Sequence, residues 1–161
     1  MDKPTIALVN STNESMELDS VLWEVLWKPL GLPRDVRDLF KVEGDSFELI
    51  ALSGKRVVGG IVVNWSNDSE VEIRHIALVP EVQKQGIGQQ LVTSSISIVS
   101  RLGYSRIHTI ARNTSVGFFS KMNFKPYHGT PPEHPVFKKH GITFELMERK
   151  IGQSSIYKTT E

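Results

Sequence analysis

The strongest constraint on this chain is a run of mostly apolar residues, 71–79, which Pro80 ends and which Gly86 and Gly88 follow shortly afterwards. Such a run, rich in valine and isoleucine, is typical of a buried central strand. From residue 86 to residue 102, apolar residues recur at helical spacing, and Gly103 is suited to follow a helix C-terminus. The pattern therefore predicts a strand, a loop and a long amphipathic helix whose first turn carries both glycines.

This arrangement can bind a phosphate. The first-turn amides of a helix have no intrahelical acceptor, and the helix dipole adds positive potential there. Glycine lets the backbone approach a phosphate closely, Lys84 adds a cation, and Gln83 carries an amide that can fix the loop. A lone G-x-G at the start of a helix is also often only a turn. Neither the third glycine of a dinucleotide fingerprint nor a G-x-x-x-x-G-K-[ST] loop is present.

The remaining residues supply further strands and helices around this central piece. Periodicity and turn residues predict strands at 5–10, 47–52, 57–65, 104–111, 124–127 and 142–151, and helices at 19–30, 34–42 and 115–122. Residues 129–135 form a predicted proline-rich loop, and residues 152–161 a polar tail. The order β-α-α-β-β-β-α-β-α-β-β predicts a single mixed α/β domain over residues 1–151.

Composition excludes several classes of function. A net charge of +1 gives no footprint for nucleic acid or an anionic membrane. The absence of cysteine excludes disulfides, a thiolate nucleophile and cysteine-based metal sites. No stretch has the length and apolar content of a signal peptide or a membrane span. We therefore expect a cytoplasmic protein that binds neither nucleic acid nor membrane and uses no metal.

Three stretches together resemble the GNAT superfamily of N-acetyltransferases. Residues 83–88 match its Q/R-x-x-G-x-G/A signature, residues 111–124 look like its second motif, which ends in F-Y-x-K-x-G-F, and residues 137–147 are similar to the F-x-E-x-G-I-x-H-x-x-M stretch of a bacterial subset. The resemblance is strong over residues 71–147, and the first fifty residues match in element order only. It implies a central mixed, mostly antiparallel sheet with helices on both faces and a splayed pair of central strands.

The resemblance also implies acetyl-CoA as acyl donor. In the family a bulge splays the strand before the glycine loop from its neighbour, and the pantetheine arm lies in the gap. Backbone groups of Ile76, Ala77 and Leu78 would contact that arm, and the Ile76 N–H would polarise the thioester carbonyl. Only their main chain has this role, and their side chains can be ordinary residues of the hydrophobic core. The pyrophosphate cradle would comprise Gln83, Lys84, Gln85, Gly86, Ile87, Gly88 and Gln89.

Catalysis requires a base that removes a proton from the acceptor amine. Glu72 holds the position at which some family members carry a catalytic Glu or His. Strand alternation places Arg74 on the same face, and His75 on the opposite face as a core histidine. An arginine so close would make Glu72 a weaker base, so a solvated or ion-paired structural carboxylate is the alternative interpretation.

The second motif departs from the family pattern at its acid. The tyrosine that usually protonates the leaving thiolate is Phe119 here, which can pack against the cofactor arm or simply belong to the core. Water or Tyr127 could supply the proton instead, or the chain could bind acetyl-CoA and turn over slowly. Asn123 replaces the motif's glycine and suits a left-handed position after a helix.

Three further side chains are candidate cofactor contacts. Arg112 holds the offset at which the family usually places Asn or Gln, and Asn113 follows it; either could contact the pantetheine or a phosphate. Lys121 could reach the 3′-phosphate, although a solvated helix face is the commoner place for such a lysine.

The acceptor is the least constrained part of the prediction. Candidate residues for its pocket are Trp23, Trp27, Arg34, Arg37, Trp65, Tyr127 and His134. Two of these are arginines, which slightly favour an acceptor with a carboxylate or phosphate. We expect acetyl transfer to an amine of a small molecule or peptide by direct attack in a ternary complex. A non-catalytic acyl-CoA-binding sensor and a nucleotide-binding protein are the alternatives, and a homodimer is common in the family.

Overall fold

The computed structural model describes residues 3–65 and 70–152, which form one seven-stranded sheet with helices on both faces. The strands are β1 Thr5–Leu8, β2 Asp45–Ser53, β3 Arg56–Trp65, β4 Val71–Leu78, β5 Arg106–Arg112, β6 Lys125–Pro126 and β7 Phe144–Lys150. The α-helices are α1 Thr12–Leu22, α2 Ile87–Arg101, α3 Val116–Lys121 and α4 Pro135–Lys139.

The sheet order is β1-β2-β3-β4-β5-β7-β6, and every neighbouring pair is antiparallel except β4 and β5. The parallel pair is held in register at only two positions, Glu72 with His108 and Ile73 with Thr109. On its other side β4 contains a bulge at Arg74, because His75 lies opposite Val62 while Ile73 lies opposite the next residue of β3. A bulge bends its strand. The sheet is therefore open between β4 and β5, and the predicted fold with its splayed central pair is confirmed.

Each face of the sheet has its own hydrophobic core. Helix α2 buries Ile87, Leu91 and Val92 against one face. Helix α1 buries Leu18 and Leu22 against the other face. Residues of β3 are buried almost throughout, as expected for a strand covered on both sides.

The first helix begins earlier than the sequence periodicity predicted. It starts at Thr12 rather than near residue 19, because Ser11 caps it by accepting a hydrogen bond from the Glu14 amide at 3.1 Å. The Glu14 carboxylate in turn accepts from the amide of Asn10 at 3.0 Å. This is close to the S-x-x-E capping arrangement, which marks a helix start inside a polar stretch. Beyond Leu22 the chain continues as a π-helical turn, Trp23–Trp27, and a 3₁₀ turn, Lys28–Leu30.

Most other predicted elements shift by one or two residues at their ends, and three differ in other ways. The helix predicted at 34–42 is a 3₁₀ helix, Val36–Phe40, and the strand predicted at 124–127 shortens to β6. The loop predicted at 129–135 runs into α4, whose first residue is Pro135, a position that favours proline because its amide needs no partner. Of the predicted tail, residues 153–161 lie outside the described residues. Within the described ranges, no helix is both long and apolar enough to cross a membrane.

Gly60 of β3 tests how tightly α1 is packed on the sheet. A Cβ atom there would lie 2.6 Å from the Leu49 carbonyl oxygen and would overlap a methyl group of Leu18. We expect Gly60→Ala to lower the free energy of unfolding by about 2 kcal/mol, because the overlap forces the helix and strand apart. Gly117→Ala is the control: nothing lies within 4 Å of that Cβ position, so stability should stay or rise slightly. Urea unfolding measures both, and equal losses would contradict the packing described.

Candidate active site

The gap between β4 and β5 exposes backbone polar groups. The amide of Val79 donates to the Val58 carbonyl of the neighbouring strand segment at 2.9 Å. In an antiparallel pair, successive residues direct their polar groups alternately toward and away from the partner strand. The N–H and C=O groups of Leu78 and Ile76 therefore point away from β3 and into the gap, where β5 has already diverged. The sequence predicted backbone contacts with a pantetheine arm for these two residues and for Ala77, whose backbone groups face β3 instead by the same alternation.

The loop after β4 is held by its own side chains. Gln83 donates from Nε2 to the Leu78 carbonyl oxygen at 2.9 Å, and Gln85 donates in the same way to the Glu81 carbonyl at 3.2 Å. Lys84 and Gly86 both have left-handed backbone, with φ of 64° and 82°. Gln83 thus fixes the loop to the end of β4, in the manner expected from the sequence.

The loop delivers free amides to the start of α2. Gly86 is the N-cap, no side chain caps the helix, and the first helical hydrogen bond runs from the Gln90 amide to the Gly86 carbonyl. The amides of Ile87, Gly88 and Gln89 thus lie in the first turn with no helical acceptor. A Cβ atom on Gly88 would lie 3.2 Å from the ring of Phe118, so glycine here also lets α3 pack closely.

A cavity of about 210 Å³ adjoins the gap, with Trp27 and Phe137 from the core beneath α1 and Ile73, Ala111 and Phe119 from the other core in its lining. Its floor consists of residues 72–76 of β4 and 109–112 of β5, together with Phe119. Its roof comes from the chain that follows α1, with Leu26, Trp27 and Phe40. Its remaining wall is formed by Pro132, His134, Phe137 and Phe144.

Glu72 and Arg74 form an ion pair in the floor of this cavity. Nη1 of Arg74 lies 3.0 Å from Oε2 of Glu72, and Nη2 donates to the Phe40 carbonyl oxygen at 2.6 Å. The prediction that His75 faces away from this pair is wrong. The extra residue of the bulge shifts the strand's alternation by one position, so His75 also lines the cavity and packs edge-on against Trp27 at a centroid distance of 5.0 Å.

His75 is held in its neutral form. Burial, followed by the charges of Arg37, Arg74 and Arg112, lowers the pKa of this imidazole to about 3. A base whose conjugate acid is so strong accepts a proton poorly near neutral pH. His75 is therefore a poor candidate for a base in this cavity.

Arg112 extends across the cavity toward its roof. Its Nη2 donates to the Leu26 carbonyl at 2.8 Å, and its Cζ lies 5.3 Å from the ring centroid of Phe137. Burial lowers the pKa of this guanidinium, which nevertheless stays protonated, as arginine does in proteins.

The two neighbouring candidates have different surroundings. Asn113 joins the end of β5 to the segment before β7, since its side chain donates to the Gly141 carbonyl at 3.1 Å and accepts from the Thr143 amide at 3.2 Å. Lys121 is exposed in the last turn of α3.

Phe119 is almost fully buried and also lines the cavity, with Phe118 and Phe124 packed edge-on against it at centroid distances of 5.1 Å. Tyr127, a possible substitute acid, is not among the lining residues, and its hydroxyl lies 3.3 Å from Nδ1 of His108. Asn123 has φ of 67°, as predicted from its place after a helix.

The residues predicted for an acceptor pocket only partly coincide with the lining of this cavity. Trp27 and His134 line the cavity, whereas Trp23, Arg34, Arg37, Trp65 and Tyr127 do not. The two arginines are neutralised elsewhere, because both pair with Asp19 and Arg37 pairs with Glu48 as well. The sequence did not predict Leu26, Phe40, Phe137 and Phe144 as pocket residues, although they line the cavity. The aromatic ones among them follow no helical or strand period, so the sequence gives no signal that they converge.

The chain belongs to the acetyltransferase (GNAT) family, whose model matches residues 12–124. The matched region includes the bulged strand, the glycine loop and the Phe119 motif.

Known relatives agree with this assignment. A Bacillus subtilis protein named "Uncharacterized N-acetyltransferase YvbK" is 29% identical over 140 residues, which cover 87% of this chain and 84% of the relative. A Bacillus subtilis acetyltransferase solved in complex with CoA superposes with a TM-score of 0.66 at 26% identity, covering 92% of this chain and 99% of that one. Tetrahymena GCN5 has a TM-score of 0.68 at 20% identity, with coverage of 94% and 96%.

No group of three or more His, Cys, Asp or Glu side chains that could hold a metal ion occurs in the part of the chain that the structure describes.

The environment of His75 predicts a pH-dependent stability. The pKa of this histidine is near 6.5 in the unfolded chain and about 3 in the folded protein. Between these two pH values the unfolded state binds a proton that the folded state does not bind. The contribution of His75 to the free energy of unfolding is therefore fully present above pH 6.5 and decreases as the pH is lowered toward 3. We expect the wild type to lose about 2 kcal/mol more than His75→Gln between pH 7.5 and pH 5.

Urea unfolding at a series of pH values measures this difference. His140→Gln, at an exposed histidine, is the matched control and should follow the wild-type curve. Parallel curves for the wild type and His75→Gln would show that this imidazole titrates alike in both states.

Proposed function

We propose that this protein is an N-acetyltransferase that transfers an acetyl group from acetyl-CoA to a primary amine of a small molecule or peptide. The observation that carries the proposal is the continuity between two sets of backbone groups that have no partner strand and no helical acceptor. Both backbone groups of Ile76 and the N–H of Leu78 face the gap between β4 and β5, and the chain then leads directly to the free first-turn amides of α2. The first set suits the amides of a pantetheine arm, and the second suits a pyrophosphate.

In the proposed reaction the two substrates are bound together. The amine nitrogen attacks the thioester carbonyl carbon, and the negative charge that develops on the carbonyl oxygen is stabilised by the Ile76 N–H. The carbon–sulfur bond then breaks, which leaves an amide and a thiolate. The cavity that adjoins the gap is where the acceptor would lie, since its floor contains the same strand.

Proton transfer would involve Glu72 and solvent. Glu72 is the one carboxylate among the described residues that line the cavity, which supports it as the base that takes the amine proton, directly or through water. Phe119 has no proton to donate, so the thiolate would be protonated by water. CoA is a sufficiently good leaving group for this near neutral pH.

The proposed function is tested by two measurements on the same preparation. Titration calorimetry measures binding of CoA, and thiol release from acetyl-CoA is followed against a panel of amines. Binding together with amine-dependent thiol release would support the proposal. Binding without turnover on any amine would contradict acetyl transfer and favour a sensor, and tighter binding of ATP or NAD than of CoA would contradict the cofactor.

Gly86 gives a specific prediction for the phosphate cradle. With φ of 82° and open space around its Cβ position, this glycine is required for its backbone conformation alone. An alanine there is strained by about 1–2 kcal/mol and would displace the neighbouring amides. We expect Gly86→Ala to weaken CoA binding about tenfold in calorimetry.

The matched control is Gly54→Ala in the turn between β2 and β3, where φ is 62° and space is likewise open. It imposes a similar strain far from the cradle, so CoA affinity should not change. If the two variants weaken CoA binding equally, the loop of Gly86 is not where the phosphates bind.

Glu72→Gln tests the base. We expect kcat/KM to fall about 100-fold, the usual scale of general-base catalysis, with the largest loss at low pH, where the amine is most fully protonated. CoA affinity should stay the same, because no cofactor contact is assigned to this side chain. The pH profile of thiol release measures the effect.

Glu48→Gln is the control for a broken ion pair. Glu48 is as buried as Glu72 and pairs with Arg37 at 2.8 Å, outside the cavity. Turnover by Glu72→Gln that matched wild type at every pH would remove Glu72 from the base role.

A further inference from the structure

We propose that the acceptor is a free amino acid with an apolar side chain, whose carboxylate binds the guanidinium of Arg112. This inference rests on the proposed acetyl transfer and identifies the substrate class of that site. Its basis is an unbalanced charge in the cavity, the direction in which that charge points, and the apolar surface around it.

Among the described residues, the charged side chains that line the cavity sum to one excess positive charge. They are Glu72, Arg74 and Arg112, and the first two neutralise each other at 3.0 Å. Within residues 3–65 and 70–152 no carboxylate lies within ion-pairing distance of Arg112. A half-buried cation without a counter-charge is costly, and a ligand anion would offset that cost.

The guanidinium is positioned for a carboxylate. Among the described residues it donates from Nη2 to the Leu26 carbonyl, and its Cζ lies over the ring of Phe137, 5.3 Å from the centroid. A guanidinium has two edges with paired N–H donors, and a single bond from Nη2 occupies only one of them. Such an edge matches the two oxygens of a carboxylate.

Arg112 lies on the acceptor side of the sheet rather than the phosphate side. Ile107 and Ala111 of the same strand belong to the core beneath α2, at whose N-terminus the phosphate cradle is formed. By strand alternation Arg112 points to the opposite face, where it contacts Phe137 of the other core. A pantetheine arm carries no charge, so the cofactor portion that enters the gap would not neutralise this guanidinium either.

The size and walls of the cavity define the rest of the ligand. At about 210 Å³ it is smaller than the roughly 300–1,000 Å³ typical of ligand pockets, so it suits one small molecule rather than an oligosaccharide. Trp27, Phe40 and Phe137 present apolar ring surface to it, and these rings pack on one another with centroids 5.7 and 6.1 Å apart. An apolar side chain against these rings, with the carboxylate on Arg112, would turn the amine toward β4.

The test compares each amino acid with its carboxamide, which has the same shape but no negative charge. The probes are phenylalanine with phenylalaninamide and leucine with leucinamide, measured by thiol release from acetyl-CoA. We expect kcat/KM for the acid to exceed that for the amide by about 10- to 100-fold, on the scale of a hydrogen bond to a charged group. The amide has the less basic amine and so more free base, which means that amine basicity cannot produce this preference.

Arg112→Gln should abolish the preference by lowering kcat/KM for the acids and leaving the amides nearly unchanged. Arg112→Lys should restore it in part, because a lysine keeps the charge but not the paired donors. CoA affinity and the urea midpoint of each variant show whether loss of the hydrogen bond to Leu26 also disturbs the fold. An equal loss on acids and amides would make Arg112 structural and overturn the inference.

The outcomes for this inference and for the proposed function are distinct. Turnover of amides as fast as acids by the wild type would overturn the carboxylate site and leave acetyl transfer intact. If no amine is acetylated, calorimetry of phenylalanine and phenylalaninamide on the CoA-loaded protein still decides. Binding of the acid that Arg112→Gln removes would support the site, and absence of binding would overturn it.

Discussion

Backbone pairing between β4 and β5 ends after two register positions, and β4 accommodates Arg74 as an extra residue on its opposite edge. Most of what distinguishes this molecule from a closed α/β sheet depends on that local break. It leaves both backbone groups of Ile76 and the N–H of Leu78 without a partner strand, and it opens space for a cavity. A regular strand at the same place would satisfy those groups within the sheet and close the gap.

The same break determines which side chains meet. Because the bulge shifts the alternation of β4, Glu72, Arg74 and His75 all line the cavity rather than being divided between two faces. Two of the three are engaged with each other and the third is neutral. The electrostatic character of the cavity is then determined by a residue from the neighbouring strand, Arg112, whose charge no described carboxylate balances.

The sequence predicts the fold well where local rules dominate. The strand, glycine loop and helix over residues 71–102 follow from apolar periodicity and glycine chemistry, and they agree with the structure within a residue or two. The start of α1 was placed too late because its capping residues, Ser11 and Glu14, lie in a polar stretch that also suits a turn. Cavity residues such as Phe40 and Phe137 come from segments far apart in the chain, and no periodicity specifies their convergence. The orientation of His75 depends on the bulge, which changes the strand period by one residue.

The roof of the cavity contains a second irregularity, the π-helical turn Trp23–Trp27. A π turn accommodates one residue more than the α-helix it extends, just as the bulge at Arg74 accommodates one more than a regular strand. The roof and the floor of the cavity thus each contain a single-residue insertion relative to regular geometry. Loss of that residue from the roof or the floor would leave the helix or strand regular while rotating Trp27 or His75 away from its present neighbour. Relatives of this protein could therefore remodel the acceptor side through changes of chain length by one residue, without altering the glycine loop.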